Sequence, residues 1–261
     1  MKKEVIAKFC DQAGINDWML HRLNRKTYNN YIRVINYHEI YLKDKRQFES
    51  HLRFYSENFS NCNYKTFEAF LRAEYSFMDK PGIMLTFDDG FIDNYENAAP
   101  LLEKYGFTGY FMVSSGLIGK KKYMSVDELM DLKKKGHVIG CHTHSHHRMS
   151  NTDSQDILNK EITKSKEILQ GMIHDEVNIF CWCFGDKGSY VNSAYKTIVK
   201  SGYKYAFMTD SYPIYQRCNP RHIQRTNIQT YWDMSTVKFQ LCGFMDWWFM
   251  KKRKTDEAIT T

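Results

Sequence analysis

The run PGIMLTFDDG at 81–90 sets two carboxylates, Asp88 and Asp89, side by side directly behind an apolar stretch. Like charges at that spacing repel, so the pair calls for either open solvent, as on a charged surface turn, or a cation held between them. A second polar cluster, GHVIGCHTHSHHRM at 136–149, carries His137, His142, His144, His146 and His147. Neutral imidazole is an ordinary ligand for borderline divalent metals, although a polar histidine-rich loop would look the same. His142 and His146 are the preferred pair, since residues four apart face one way across a helical turn. With a carboxylate from another strand end they would make a three-ligand site that leaves room for water and substrate. Asp89 is taken as that carboxylate, and Asp88 would remain ionised beside the cation as a general base toward water. Chemistry sets this division of labour but not which aspartate takes which part. Gly90 allows the tight turn that brings both to a pocket rim.

Such residues act together only if the fold brings distant loops to one face. Short apolar runs at 32–37, 83–87, 108–113, 138–141, 178–184 and 204–208 read as strands, with a seventh near 222–227 or within 59–77. Helical patterns at 47–58, 94–105, 126–135, 154–170 and 190–201 lie between them, the third opened by a capping box from Ser125 to Glu128. The alternation predicts an α/β chain of βα units around a largely parallel sheet. The strand count suits a distorted (β/α) barrel of about seven strands better than an open doubly wound sheet. Polar clusters at 37–39, 88–90, 142–146 and 184–187 then fall just beyond strand ends, where parallel α/β folds gather their working groups. No Pro/Gly/Ser-rich linker divides the chain. One barrel domain is expected over 31–230, with an N-terminal helical extension at 1–30 and an aromatic and basic tail, expected to be helical, at 231–261.

A net charge of +7 favours anionic partners but does not bear on the fold. The basic residues form no stripe interleaved with aromatics, and paired carboxylates would repel phosphate, so nucleic acid is not expected as a partner. Seven cysteines without framework spacing, and the polar start MKKEVIAKFCDQAG, predict a reducing, cytoplasmic setting.

The motifs carry a resemblance. TFDDG at 86–90 and HTHSH at 142–146, the latter preceded by GHVIG, resemble the first two motifs of the polysaccharide deacetylases of NodB-homology type, carbohydrate esterase family 4. The resemblance implies a distorted barrel and a divalent ion held by an aspartate and two histidines. It also implies hydrolysis of an N-acetyl or O-acetyl group on a carbohydrate. It gives Asp88 the part of base and Asp89, His142 and His146 the part of ligands. The ion would be zinc in the first instance, with Co, Ni, Mn or Fe also admitted by such a donor set.

The third motif departs from the family pattern. FCWCFG at 180–185 has Cys183 where proline is usual and Cys181 where arginine occurs. Family likeness assigns the Phe184 N–H to the oxyanion. A main-chain donor survives a change of side chain, but the dihedral that proline would fix is lost. No histidine follows position 222 to act as the acid. His38 in VINYHEI instead resembles the circularly permuted branch related to poly-N-acetylglucosamine deacetylases. Arg221 in NPRHIQR resembles the late Pro-Arg pair of that branch and is expected to orient Asp88.

The function implied is metal-dependent removal of an acetyl group, most of all N-acetyl, in surface-polysaccharide metabolism. The alternatives are an O-acetyl esterase and a carbohydrate-binding protein that has lost the chemistry. In the tail, FMDWWFM followed by KKRK at 251–254 could rest on an anionic inner membrane surface beside a lipid-linked saccharide, or pack as an ordinary final helix.

Overall fold

The apolar runs become short parallel strands because their β-branched and aromatic residues alternate between two buried faces. In the computed structural model, which describes residues 3–186 and 188–258, the strands are β1 Ile32–Tyr37, β2 Ser60–Asn61, β3 Gly82–Phe87, β4 Gly109–Val113, β5 Val138–Cys141, β6 Ile179–Cys181, β7 Tyr205–Phe207 and β8 Thr226–Asn227. Lys187, in the polar cluster at 184–187, and the outermost residues of both ends lie outside the described residues.

Seven strands run in the order β7-β6-β5-β4-β3-β1-β8, all pairs parallel, as a curled, open sheet. The two edges meet through one parallel bridge, Phe207 to Ile223, so the half-barrel stops short of a closed ring. Both expected places for a further strand are used. β8 lies in the late segment, and β2 pairs with the start of β3, below the part of β3 that meets β4.

The period of two sorts the core. Ile32, Val34, Met84, Tyr110, Met112, Ile179, Cys181 and Phe207 pack inward with Phe67 and Phe70 of the helix Tyr64–Leu71, which plugs the sheet's concave face. Ile35, Tyr37, Leu85, Phe87, Phe111, Ile139 and Phe180 face the outer helices. The capping box opens the helix Val126–Lys134 as expected. The helices expected at 94–105 and 154–170 each contain a π turn, Asn94–Ala98 and Asn159–Lys164.

The N-terminal helices Lys3–Gln12 and Ile15–Thr27 pack against the late helix Met234–Leu241, where Asn16 donates to the Ala7 and Ser235 carbonyls. The tail forms the helices Phe244–Trp248 and Met250–Glu257. Arg33 of β1 grips Asp246 in a buried bidentate pair at 2.7 and 3.0 Å, which ties the tail to the barrel. Half of the basic run is drawn inward. Lys252 pairs with Asp210 and Asp256, and Arg253 donates to the Ser211 and Asp246 carbonyls. No helix among the described residues is long and apolar enough to cross a membrane.

Candidate active site

Each catalytic loop begins where a strand's ladder runs out. The Asp88 N–H donates to the Tyr37 carbonyl, carrying the β1–β3 pairing one residue beyond the strand. Asp89 and Gly90 then take left-handed conformations at φ 75° and 79°, which reverse the chain and aim two neighbouring side chains differently. On β5 the His142 N–H donates to the Val113 carbonyl. Thr143 and His146 follow at φ 64° and 58°, so the segment is a strained turn in place of the expected helical one.

The two π turns hold these loops. Glu161, on one of them, accepts from the His144 and Ser145 N–H groups and from the Ser145 hydroxyl, fixing the histidine turn. Asn94, on the other, donates to the His38 carbonyl at 2.8 Å. A widened helical turn pushes a side chain toward the adjoining loop, a frequent arrangement at functional sites.

Asp89 Oδ1 lies 3.4 Å from His142 Nε2 and 3.0 Å from His146 Nε2. Donors sharing one tetrahedral ion at bonds of about 2.0–2.2 Å sit roughly 3.3–3.6 Å apart, so this spacing suits a common cation. Two further observations fit. The buried Asp89 Oδ1 has no hydrogen-bond partner among the described residues. His142 Nδ1 lies 3.0 Å from the Cys181 carbonyl, which can only accept, so Nδ1 carries the proton and Nε2 offers its lone pair. A divalent cation therefore fits these three residues.

Asp88 is buried at the cavity wall, and its two oxygens accept from Arg225 at 2.7 and 2.8 Å. Burial opposes its charge, but Arg225, with His142 and His38 nearby, keeps the carboxyl below its ordinary value. Arg225 is itself fixed by the Met208 carbonyl, Asn36 Oδ1 and Thr86 Oγ1. This corrects the expectation for Arg221, whose guanidinium donates to the Tyr203 carbonyl instead. The segment runs from the Tyr203 level, past the Ile223–Phe207 bridge, to Thr226 beside Ile35, so Arg221 sits at the wrong end of the sheet and Arg225 at the right one.

His38, Asp88, Asp89, His142, His146 and Phe184 line one cavity of about 240 Å³. Phe184 is left-handed at φ 67°, its ring lies 5.0 Å from that of His146, and its N–H donates to no protein group among the described residues. Arg225, Glu161 and Asn94 were not singled out by sequence reasoning. Only Arg225 carried a signal, as the second arginine of NPRHIQR.

The profile described as polysaccharide deacetylase matches residues 77–206. YxkH of Bacillus subtilis, a polysaccharide deacetylase by name, is 26% identical over 167 residues, covering 64% of this chain and 58% of YxkH. The chain thus spans less than two thirds of that relative. Poly-beta-1,6-N-acetyl-D-glucosamine N-deacetylase of Staphylococcus aureus is 24% identical over 199 residues, covering 71% of this chain and 67% of the relative. Among solved structures, the Streptococcus pyogenes deacetylase PplD in complex with acetate superposes with a TM-score of 0.71 at 19% identity, over 81% of this chain and 98% of that one. IcaB from Ammonifex degensii gives 0.70 at 16% identity, over 83% and 97%. These structures share the fold. The profile spans the stretch that supplies both aspartates, both histidines and the Phe184 turn, and on that backbone the chain belongs to the polysaccharide deacetylase family.

Proposed function

We propose that the protein is a metal-dependent hydrolase that removes an acetyl group, N-acetyl in the first instance, from a carbohydrate. The observation that carries the reading is the unpartnered Asp89 Oδ1 facing two histidine nitrogens, next to an Asp88 kept ionised by Arg225. A cation bound by Asp89, His142 and His146 would supply Lewis-acid polarisation of the acyl carbonyl and acidify a water. Zinc suits this donor set best, with Co, Ni, Mn or Fe as alternatives.

Asp88 takes the proton from the attacking water, and Arg225 keeps its carboxylate aimed and charged. The Phe184 N–H donates to the oxygen on which negative charge develops. His38, across the same cavity, hands a proton to the departing nitrogen, without which an amine anion would have to leave. An acid just beyond the first strand, ahead of the base in the chain, supports the permuted branch. The relative named as a poly-beta-1,6-N-acetyl-D-glucosamine N-deacetylase supports an N-acetylated hexosamine polymer as the substrate class. The test is acetate release from N-acetylated and O-acetylated oligosaccharides by zinc-loaded protein. Activity should vanish with chelator and return with zinc, and no release from any such substrate would sink the reading.

Peripheral contact with an anionic membrane bearing a lipid-linked saccharide is a narrower proposal. Trp247 and Trp248 are 72% and 71% exposed, and Lys251 and Lys254 are exposed, whereas Lys252 and Arg253 are engaged by Asp210 and the Ser211 carbonyl. Sedimentation with anionic vesicles should occur at low salt and weaken at high salt. A protein that stays in the supernatant at low salt has no such contact.

A further inference from the structure

Cys183 stands where the family pattern has proline, and the fold gives its thiol an unusual position. β6 ends at Cys181, and the chain then turns sharply. The Gly185 N–H donates to the Cys183 carbonyl at 2.9 Å, and Phe184 is left-handed at φ 67°. Cys183 is thereby pinned beyond the strand with its side chain 1% exposed. One ring nitrogen of His142, one of His146 and the Cys183 Sγ all lie within 4.8 Å of one another. The thiol's other contacts are weak, 3.6 Å to the His142 carbonyl and 3.6 Å to Thr143 Oγ1.

Cys181 makes a similar cluster with Asp88 and His142, but there the donors are already committed. Both Asp88 oxygens are taken by Arg225, and the Cys181 thiol points at Asp88 Oδ1 from 3.6 Å. Of the two thiols, Cys183 approaches both histidines and Cys181 approaches His142.

We infer that Cys183 Sγ is a fourth protein ligand to the cation held by Asp89, His142 and His146, an inference that rests on the reading of that cluster as a metal centre. Donors on a shared ion sit roughly 3.3–3.8 Å apart, so the sulfur must draw in from within 4.8 Å of the two histidine nitrogens, and toward Asp89, to coordinate. In the step, the S–H bond breaks, its proton passes to solvent, and a sulfur–metal bond forms with no change of oxidation state. The consequences are chemical. A soft thiolate favours zinc over manganese or magnesium. Four protein ligands would leave a bound ion no open position at rest, so the sulfur would have to yield before water or a substrate carbonyl could reach it.

Zinc K-edge X-ray absorption of the zinc-loaded wild-type protein tests this without a variant. The expected result is one sulfur at about 2.3 Å beside nitrogen and oxygen at about 2.0–2.1 Å. In the cobalt-substituted protein, a sulfur-to-cobalt charge-transfer band should be present, lost in Cys183→Ser and retained in Cys181→Ser. Zinc affinity of Cys183→Ser should fall about tenfold or more. Stoichiometric zinc with a purely nitrogen and oxygen shell overturns the inference and leaves the metal centre standing. Failure to bind any divalent ion overturns the metal centre itself.

Discussion

Asp88→Asn is expected to lower turnover on an N-acetylated oligosaccharide by about 10²–10⁴-fold, the usual worth of a positioned base, with metal content unchanged. The separation of the two effects follows from the loop. Asp89 faces the histidines, whereas Asp88 turns toward Arg225 and approaches neither histidine as a salt-bridge partner. Asparagine keeps the volume and one acceptor for Arg225 but cannot take a proton from water. His38→Gln is the companion variant, because it divides substrates by leaving group. An amine departs only with a proton, so amide hydrolysis should fall steeply, while an activated acetyl ester should lose little. Steady-state rates on both substrates, with metal counted by elemental analysis, decide the assignment. Loss of metal in step with activity in Asp88→Asn would make Asp88 a ligand, and equal small losses on both substrates would remove His38 as the acid.

How much of this was legible in the sequence depends on how local each signal is. β1 and β5 run from the residue to the residue that their apolar runs mark. The run at 178–184 misleads. It reads as seven residues, six of them apolar, yet β6 stops at Cys181, since Phe184 is left-handed and the chain must turn to reach the cavity. The π turns were invisible, because one extra residue in a helical turn barely disturbs an amphipathic pattern of ten to seventeen residues. With them went Glu161 and Asn94, whose meaning lies in backbone groups 16 and 56 positions away.

The two arginines show a different limit. Arg221 and Arg225 have the same parity in an extended segment, so alternation puts them on one face and cannot separate them. Height along the sheet separates them, and that is set by which residues of β7 and β1 the segment meets. The tail's basic run is similar. Its partners Asp210 and Ser211 lie about forty residues earlier, and no local pattern tells an inward Arg253 from an outward Lys254.

Arg225→Leu should be the most destabilising single change in the site, at about 3–5 kcal/mol, with a fall in Tm of roughly 6–20 °C. The reason is the company Arg225 leaves behind. Asp88 is buried with both oxygens bonded to that guanidinium, so the variant leaves a buried carboxylate without the charge that balances it. Arg221→Leu serves as the control. It loses one 3.3 Å hydrogen bond to the Tyr203 carbonyl and should cost only about 0.5–1.5 kcal/mol. The pH dependence should reverse as well. In the wild type Asp88 titrates below its unfolded value, so its contribution is full above about pH 4 and fades as pH falls through the folded value. Without Arg225, burial is opposed only by weaker neighbours and the folded value rises above the unfolded one. The contribution is then present in acid and lost as pH climbs. Denaturant unfolding of metal-free protein at several pH values reads both effects. The double variant Asp88→Leu/Arg225→Leu should regain most of the loss, because no charge is left unpaired. If Arg225→Leu unfolds within 1 kcal/mol of wild type, the Arg225 to Asp88 pair is not what holds the base in place.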